Sequence, residues 1–295
     1  MKVSVLGLGT MGKTVAHRLL ERGHQVTVWN RTPGREGDLA RHGARVAESI
    51  SDAVTDAEVV LTLLTADEAV REVCVGDGGV REWLARGAAL VEMSSVHPRT
   101  SRELAAAIGE ERFADAPVLA GPATITSGEA LCVVGGSASL VSSLRPLFDD
   151  LSSRCIRAGA AGAGTTVKLV FNLLFLQELV ALSEAVALAQ AAGLDQELVG
   201  ELFRTSPMVP VGLQNRLADV LAGDHGGWFP IPLARKDIRL AIELGRDSGL
   251  DLQLAAATDM VYRRAEQLGH VDKDVAAVVE AVRSPGRRGR RDTLS

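Results

Sequence analysis

Aromatic residues are scarce in this chain, where they make up only 3% of 295 residues. Proteins that bind single-stranded nucleic acid without sequence preference stack the bases on aromatic side chains. The scarcity therefore argues against such a surface. The net charge of −5 also argues against broad electrostatic attraction to nucleic acid or to an anionic membrane. We expect neither among the partners of this protein.

Cysteine is also rare, and its three positions are Cys74, Cys132 and Cys155. The odd number and the lack of a CxxC pair argue against a disulfide framework and a cysteine-rich zinc site. The histidines form no HxxxH or HExxH pair, so no metal site is predicted. No apolar run is long enough to span a membrane, and the chain opens on a strand-like segment in place of a signal peptide. We expect a reduced, cytoplasmic, metal-free protein.

Short strands alternate with helices through the first half of the chain. The predicted strands lie at 2–6, 25–29, 57–64, 88–93 and 132–134, and the predicted helices lie at 11–22, 66–74 and 100–108. This alternation is typical of a parallel sheet with right-handed crossovers. The sequence therefore predicts an α/β N-terminal domain of the Rossmann type.

The second half of the chain is predicted to be all-α. A long stretch from 163 to 192 lacks proline and is rich in leucine, alanine and valine. Further helices are predicted at about 195–204, 211–222, 232–248, 251–268 and 273–283. We therefore expect a Rossmann domain at 1–162, an all-α domain at 163–285 that begins with the long helix, and a flexible basic tail at 286–295.

The first motif is a GxGxxG block that reads Gly7-Leu8-Gly9-Thr10-Met11-Gly12. A strand precedes it and a helix follows it, which is the context of a dinucleotide-binding loop. Gly7 allows the tight turn, Gly9 lets the backbone approach a pyrophosphate, and Gly12 lets the helix pack closely on the strand. The helix N-terminus then offers N–H groups to the phosphates.

The end of the second strand indicates which dinucleotide binds. An NAD site usually carries Asp or Glu there for the ribose 2′-hydroxyl, but this chain has Asn30-Arg31-Thr32. An arginine can hold a 2′-phosphate with two hydrogen bonds, whereas a carboxylate would repel it. The sequence favours NADP(H), although Arg31 is also compatible with an ordinary surface arginine.

A second block, GAGTTVKLVFN at 162–172, opens the long helix. Lys168 and Asn172 are four residues apart and therefore share one helix face, and their neighbours are apolar. A partly desolvated lysine suits proton transfer. Taken alone, the same pattern also fits a structural lysine whose stem covers apolar surface.

Four ordered blocks together resemble the β-hydroxyacid dehydrogenase family, which includes 3-hydroxyisobutyrate dehydrogenase and glyoxylate/succinic semialdehyde reductase. The resemblance covers about residues 1–283. It rests on GLGTMG at 7–12, MSSVHPRTSREL at 93–104, FADAPVLAGP at 113–122 and GAGTTVKLVFN at 162–172. It implies a Rossmann domain followed by an all-α domain, and an oxidoreductase that acts on small carbonyl or hydroxy compounds.

The resemblance also implies roles for the matching residues. Lys168 would donate the proton to the carbonyl oxygen as hydride arrives from the nicotinamide, and Asn172 would orient the substrate. Ser95 would lie between the nicotinamide ribose and the substrate. Gly121 would offer its backbone N–H to the substrate.

Further roles follow from the same resemblance. Lys236, in a KD pair similar to the family's, would close over the cofactor. Leu64 and Thr65, after a buried strand, would line the path of the dinucleotide. The long helix would join the two domains and support a homodimer.

One block departs from the family pattern. The family's DAPVSGG has a serine that helps to bind the substrate carboxylate, but this chain has Leu119 and Ala120 at the serine and the first glycine. Leucine cannot donate a hydrogen bond to a carboxylate. The VLAGPATI and WNRTP runs are similar to those of imine reductases, a sister family that usually lacks the lysine at 168. An imine reductase and a non-enzymatic NADP-binding protein therefore stay open as alternatives.

Overall fold

The computed structural model describes residues 1–284, and the predicted basic tail at 286–295 lies outside the described residues. The chain divides into two compact units, Met1–Phe171 and a second unit from Asn172 onward. The division falls inside the long helix, nine residues after the predicted boundary at 162. The first two turns of that helix therefore belong to the first unit.

The first unit contains nine strands and eight complete helices among the described residues. The strands are β1 Lys2–Leu6, β2 Gln25–Trp29, β3 Arg45–Val46, β4 Val59–Thr62, β5 Ala89–Glu92, β6 Phe113–Asp115, β7 Val118–Leu119, β8 Ala130–Gly136 and β9 Ser152–Gly159. The helices are α1 Thr10–Glu21, α2 Ile50–Val54, α3 Asp67–Val75, α4 Val80–Trp83, α5 Pro98–Ile108, α6 Pro122–Ser127, α7 Ala138–Ser143 and α8 Arg145–Leu151.

The strands form one sheet in the order β3-β2-β1-β4-β5-β6-β8-β7, with β9 paired to β8. The pairs from β3 to β6 are all parallel, and so is β8 with β9. The predicted fold class is confirmed. The sheet is not parallel throughout, because β8 runs antiparallel to both β6 and β7. Each of these pairings is only two residues long, which left little pattern in the sequence.

Both faces of this sheet are covered, which explains the near-continuous apolar runs of its central strands. β4 and β5 are buried at every position. Alternate residues of each strand enter two different clusters, since Val59 packs with one core and Val60 with the other. The helices on either face complete the two cores. The doubly covered parallel sheet places the carboxyl ends of β1, β2, β4 and β5 along one edge.

The second unit consists of helices joined by loops in the described part, with one isolated β-bridge between Pro230 and Asp274. Its helices are α9 Ala163–Ala191, which it shares with the first unit, α10 Gln196–Thr205, α11 Val211–Ala222, α12 Ile231–Asp247, α13 Gln253–Gln267, a short 3₁₀ helix Val275–Ala277 and α14 Val278–Arg283. One apolar cluster lies between them. A buried ion pair joins Arg216 on α11 to Asp274 at 2.7 Å, and the same carboxylate also accepts the backbone N–H of Phe229.

The long helix α9 is apolar on more faces than its surroundings cover. Its length and composition would suffice to cross a membrane, but a core helix of a soluble protein passes the same test. Leu169, Leu176 and Leu179 are fully buried. The sequence predicted that this helix supports a homodimer, which stays a prediction, and one face of α9 is open in the single chain. Val170, Phe171, Leu174 and Leu188 lie on it, each more than half exposed.

Candidate active site

The GxGxxG block forms the turn between β1 and α1. Gly7 has a φ of +101°, which a side chain would strain, and a Cβ on Gly12 would overlap the carbonyl oxygen of Gly7. Those two glycines are therefore required by the packing of the loop itself. Gly9 is different, because nothing lies within 4 Å of the position of its Cβ. The open space there is where a ligand could approach the backbone.

The start of α1 fits a phosphate group. Gly9 is its N-cap, so no side chain caps the first turn, and that turn contains no acidic residue. The N–H groups at the start of a helix carry a partial positive charge and bind anions when no side chain occupies them. The described residues of this loop therefore fit the pyrophosphate of a dinucleotide.

Asn30 connects the loop to the end of β2. Its side-chain oxygen accepts the backbone N–H of Leu8 at 2.9 Å, and its amide nitrogen donates to the carbonyl oxygen of Thr32 at 2.9 Å. Asn30 thus holds the glycine loop and the Asn30–Arg31–Thr32 turn in one fixed arrangement. The structure brings together these two predicted cofactor-binding segments.

A cavity of about 670 Å³ lies beside this turn, and its lining includes Trp29, Asn30, Arg31, Ser49 and Trp83. Its volume is within the usual range for small-molecule sites. Neither Ser49 nor Trp83 was singled out from the sequence, because Ser49 is the N-cap of α2 and Trp83 is the last residue of α4, and these two short helices were not predicted. A cavity of this size could accept one end of a dinucleotide.

Arg31 extends from the rim of that cavity into solvent. Its side chain is 74% exposed, and its Nη1 atom lies 3.5 Å from Oε2 of Glu72, which is also exposed. Exposed pairs of this kind contribute little to stability. The guanidinium can therefore exchange this carboxylate for another anion at low cost.

Two further predicted segments meet at the carboxyl ends of β4 and β5. Ser94 accepts the backbone N–H of Leu64 at 2.8 Å, and its own N–H donates to Glu92 at 2.7 Å. Glu92 is fully buried. The bonds fix the Leu64–Thr65 turn against the turn that carries Ser95. Glu92 and Ser94 were not singled out from the sequence, although Ser94 lies inside the MSSV run and Glu92 directly precedes it.

Asp67, at the start of α3, holds the other side of the Ser95 turn. Its Oδ1 accepts the backbone N–H of His97 at 2.9 Å and the hydroxyl of Thr100 at 2.6 Å. Arg71 donates to the same hydroxyl at 2.7 Å. Ser95 therefore lies on a turn whose two flanks are both held by carboxylates.

Lys168 lies two turns into α9, half-buried, and its Nζ donates to the carbonyl oxygen of Val118 at 2.8 Å. Val118 and Leu119 form β7, so the amine lies next to the segment that departs from the family pattern. The structure thus brings Lys168 together with the predicted substrate segment Leu119–Ala120–Gly121. The three residues of that segment are partly exposed.

Gly121 is the N-cap of α6. Its backbone N–H donates to the hydroxyl of Thr124 at 3.1 Å. The sequence predicted that this N–H donates to a substrate. Such a hydrogen bond requires the Thr124 hydroxyl to move away from the N–H first. Thr124 was not singled out from the sequence.

Asp115, the last residue of β6, fixes the beginning of α9. One of its carboxylate oxygens accepts the N–H of Gly162 at 2.7 Å, and the other accepts the N–H of Thr165 at 2.7 Å. Burial raises the pKa of Asp115, while these hydrogen bonds oppose the shift. Asp115 is the first residue of the DAPV run, which carries part of the family resemblance, but the sequence analysis assigned no role to this residue.

In the second unit, Asp237 joins two predicted site residues. Its Oδ2 accepts the amide nitrogen of Asn172 at 2.6 Å, and Lys236 Nζ lies 3.1 Å from its Oδ1. Asp237 is buried. It therefore fixes the orientation of the Asn172 amide and holds Lys236 nearby. Asp237 belongs to the KD pair noted in the sequence, but only its neighbour Lys236 was predicted to be a site residue.

One group of potential metal ligands lies apart from these residues. His17, Asp38 and His42 each bring a ligand atom within 4.8 Å of the others. These side chains also interact directly with one another, since His17 Nε2 lies 3.0 Å from Asp38 Oδ1. Their wide spacing in the chain hid this group from the sequence motifs, which predicted no metal site.

Comparisons with known proteins agree with this geometry. Residues 2–159 match the profile of the NAD binding domain of 6-phosphogluconate dehydrogenase. Residues 162–282 match that of the NAD-binding part of NADP-dependent 3-hydroxyisobutyrate dehydrogenase. Glyoxylate/succinic semialdehyde reductase 1 of Arabidopsis thaliana is 31% identical over 96% of this chain and 99% of its own length.

Solved structures give the same result. A 3-hydroxyisobutyrate dehydrogenase from Salmonella typhimurium is 26% identical, with a TM-score of 0.86 over 95% of this chain and 99% of its own. An imine reductase from Myxococcus stipitatus in complex with NADP+ is 23% identical, with a TM-score of 0.65 over 96% of this chain and 100% of its own, and shares the fold. A profile over more than half of the chain and a full-length relative confirm the predicted family: the chain belongs to the β-hydroxyacid dehydrogenases, which bind a pyridine nucleotide.

Proposed function

We propose that this protein catalyses the reversible NADPH-dependent reduction of a small carbonyl compound to an alcohol, with Lys168 as proton donor. The observation that carries the proposal is the contact of Lys168 Nζ with the Val118 carbonyl oxygen, at 2.8 Å. That contact holds an amine at the start of the segment that the family uses for its substrate. A relative of 31% identity is named as a semialdehyde reductase, which supports a carbonyl substrate.

Bound NADPH supplies the hydride. The uncapped start of α1 and the open space at Gly9 would bind its pyrophosphate, and the cavity beside Arg31 would accept its adenosine end. Lys168 then donates a proton to the oxygen atom that gains negative charge, and in the oxidative direction it accepts that proton. A positioned general acid of this kind typically accelerates a reaction by about 10²–10⁴-fold.

Asn172 orients the substrate. Because its amide nitrogen donates to Asp237, its carbonyl oxygen is set at the opposite end of the amide and serves as an acceptor for the alcohol or hydrated form of the substrate. Lys236, beside the same carboxylate, provides a positive charge for the cofactor. The predicted cytoplasmic location stays a prediction.

The choice of NADPH rests on Arg31. Its side chain is the exposed cation at the cavity rim, and no carboxylate stands at the end of β2. Two acidic residues, Glu36 and Glu48, line the same cavity and would oppose an added phosphate. Discrimination in favour of the 2′-phosphate therefore depends on the single guanidinium.

Leu119 is the residue that supports the imine reductase alternative. This residue removes a hydrogen-bond donor and makes the substrate segment more apolar. Lys168 favours a carbonyl substrate, because an ammonium group stabilises a developing oxyanion but repels an iminium ion. The non-enzymatic alternative is disfavoured by the two buried carboxylates, Asp115 and Asp237, which hold the start of the catalytic block and Asn172.

The first expected outcome concerns the cofactor. NADPH should bind at least about tenfold more tightly than NADH, a difference of about 1.4 kcal/mol, and Arg31→Ala should remove most of that preference. Isothermal titration with both nucleotides measures it. Arg41→Ala, which removes another exposed arginine of the same unit, should leave the preference intact. Equal dissociation constants in the unmutated protein would refute the NADPH assignment.

The second concerns the proton donor. Lys168→Ala should lower kcat by roughly 10²–10⁴-fold while NADPH affinity stays nearly unchanged, since the amine acts only in the chemical step. Steady-state kinetics with succinic semialdehyde and nucleotide titration separate the two effects. Lys273→Ala, at an exposed position of the second unit, is the control. Near-normal turnover of Lys168→Ala would assign the proton to another group.

The third concerns the substrate. We expect weak activity on small acids such as glyoxylate and better activity on a larger or less acidic aldehyde or ketone, because Leu119 cannot donate to a carboxylate. Leu119→Ser should raise kcat/KM for succinic semialdehyde, whereas Leu254→Ser, at an exposed leucine, should not. The panel includes an uncharged aldehyde and 1-pyrroline. A clear preference for 1-pyrroline would make the protein an imine reductase.

The fourth concerns assembly. We propose a homodimer in which a second copy covers the open face of α9, because four large apolar side chains on one helix face mark an interaction surface. Light scattering at micromolar concentration should give twice the mass of the chain. Leu174→Glu should reduce it to the monomer mass, and Leu254→Glu should not. A monomer in the unmutated protein contradicts the proposal.

A further inference from the structure

The carboxylate of Asp115 takes the place of a helix cap at the start of α9. The N–H groups in the first turn of a helix have no partner within the helix, and a side chain of the preceding residues usually accepts from them. Here the acceptor comes from the end of β6, about fifty residues earlier in the chain. It accepts from Gly162 and Thr165 at 2.7 Å each, and the Thr165 hydroxyl lies 3.2 Å from it.

The backbone around Asp115 leaves no room for the helix to move toward the sheet. A Cβ on Gly164 would lie 2.5 Å from the carbonyl oxygen of Asp115 and 2.9 Å from its carboxylate. A Cβ on Gly135, in β8, would overlap the same carboxylate. The two glycines therefore allow α9 and β8 to approach Asp115 closely. Any shift of the helix start would break hydrogen bonds on one side or cause overlap on the other.

Lys168 lies on the same helix, one turn beyond Thr165. Its amine contacts the carbonyl oxygen of Val118, only three residues after Asp115. A single short segment, 115–118, therefore holds both the beginning of α9 and the end of the lysine side chain. These two contacts together fix the position of the amine relative to the 115–118 segment.

We propose that Asp115 is a positioning residue for Lys168. It fixes the register of α9 against the 115–118 segment, and this register places the lysine amine where a proton is donated. The proposal depends on the proposed role of Lys168. Displacement of a catalytic group by about 1 Å can cost roughly 10²-fold in rate, so the effect of losing this anchor is measurable.

The test compares Asp115→Asn, Thr165→Val and Asp150→Asn in the full-length protein. The Asn side chain keeps the shape of Asp115 but directs an N–H₂ group at one of the two backbone donors. Thr165→Val removes the hydroxyl, and with it the contact to Asp115 and the hydrogen bond to the Gly162 carbonyl oxygen, but keeps the backbone bond to Asp115. Asp150→Asn is the matched control, because Asp150 binds Arg22 and His24 in the same unit, apart from α9.

With NADPH and succinic semialdehyde, kcat per folded molecule should fall by roughly 10–100-fold in Asp115→Asn and by a smaller factor in Thr165→Val. The dissociation constant of NADPH should stay within about twofold. The deuterium isotope effect on kcat, measured with NADPH deuterated at the transferred hydrogen, should rise because the chemical step becomes slower. Asp150→Asn should show none of these changes.

A lower melting temperature with unchanged kcat and isotope effect in Asp115→Asn would show that Asp115 only stabilises the fold, and would overturn the proposal. If Asp115→Asn does not fold, Thr165→Val decides by the same readouts. Lys168→Ala separates the two hypotheses. Near-normal turnover of that variant contradicts the proposed function, whereas a large loss there with normal kcat in Asp115→Asn contradicts only the positioning role.

Discussion

The hydrogen bonds between the Asp115 carboxylate and the first turn of α9 are the constraint on which the lysine site depends. They join the end of a buried strand to the start of a helix that is about fifty residues later in the chain. A buried carboxylate is costly unless donors surround it, and here backbone N–H groups supply them. The glycines at 135 and 164 are needed because this arrangement brings three backbone segments into contact.

The same solution recurs at other predicted site residues, within each of the two units. Asp237 orients Asn172, Asp67 holds the turn after Ser95, and Glu92 holds the turn before it. In each case a carboxylate fixes a loop or a side chain that would otherwise have several conformations. Side chains whose orientation is fixed before a ligand arrives lose less entropy on binding. The predicted contacts are therefore supported by residues that do not themselves belong to the predicted set.

Much of the fold was predictable because its central strands are short apolar runs bounded by turn residues, and its long helix is an apolar stretch without proline. The strands at Lys2–Leu6 and Gln25–Trp29 and the helix at Ala163–Ala191 lie where the sequence predicted them, within one residue. The strand Ser152–Gly159 was missed, since its first three residues are serine or arginine and it has no continuous apolar run. Two-residue strands such as Val118–Leu119 leave no period to detect.

For the site, sequence reasoning found residues whose type suggests chemistry, such as Lys168 and Arg31. It missed residues whose importance comes from contacts across the chain. Asp115 and Asp237 are ordinary acidic residues until the fold surrounds them with specific donors. Ser49 and Trp83 became visible only because two short helices bring them to the rim of one cavity.

The exposed pair of Arg31 and Glu72 has a consequence for how cofactor binding responds to ionic strength. Salt screens the attraction between a guanidinium and an incoming phosphate, which weakens binding. Salt also screens the competing attraction of the same guanidinium to Glu72, which makes Arg31 easier to recruit. Because the two effects oppose each other, binding of a 2′-phosphate by Arg31, as proposed above, would vary less with salt concentration than binding at a site with an unpaired arginine.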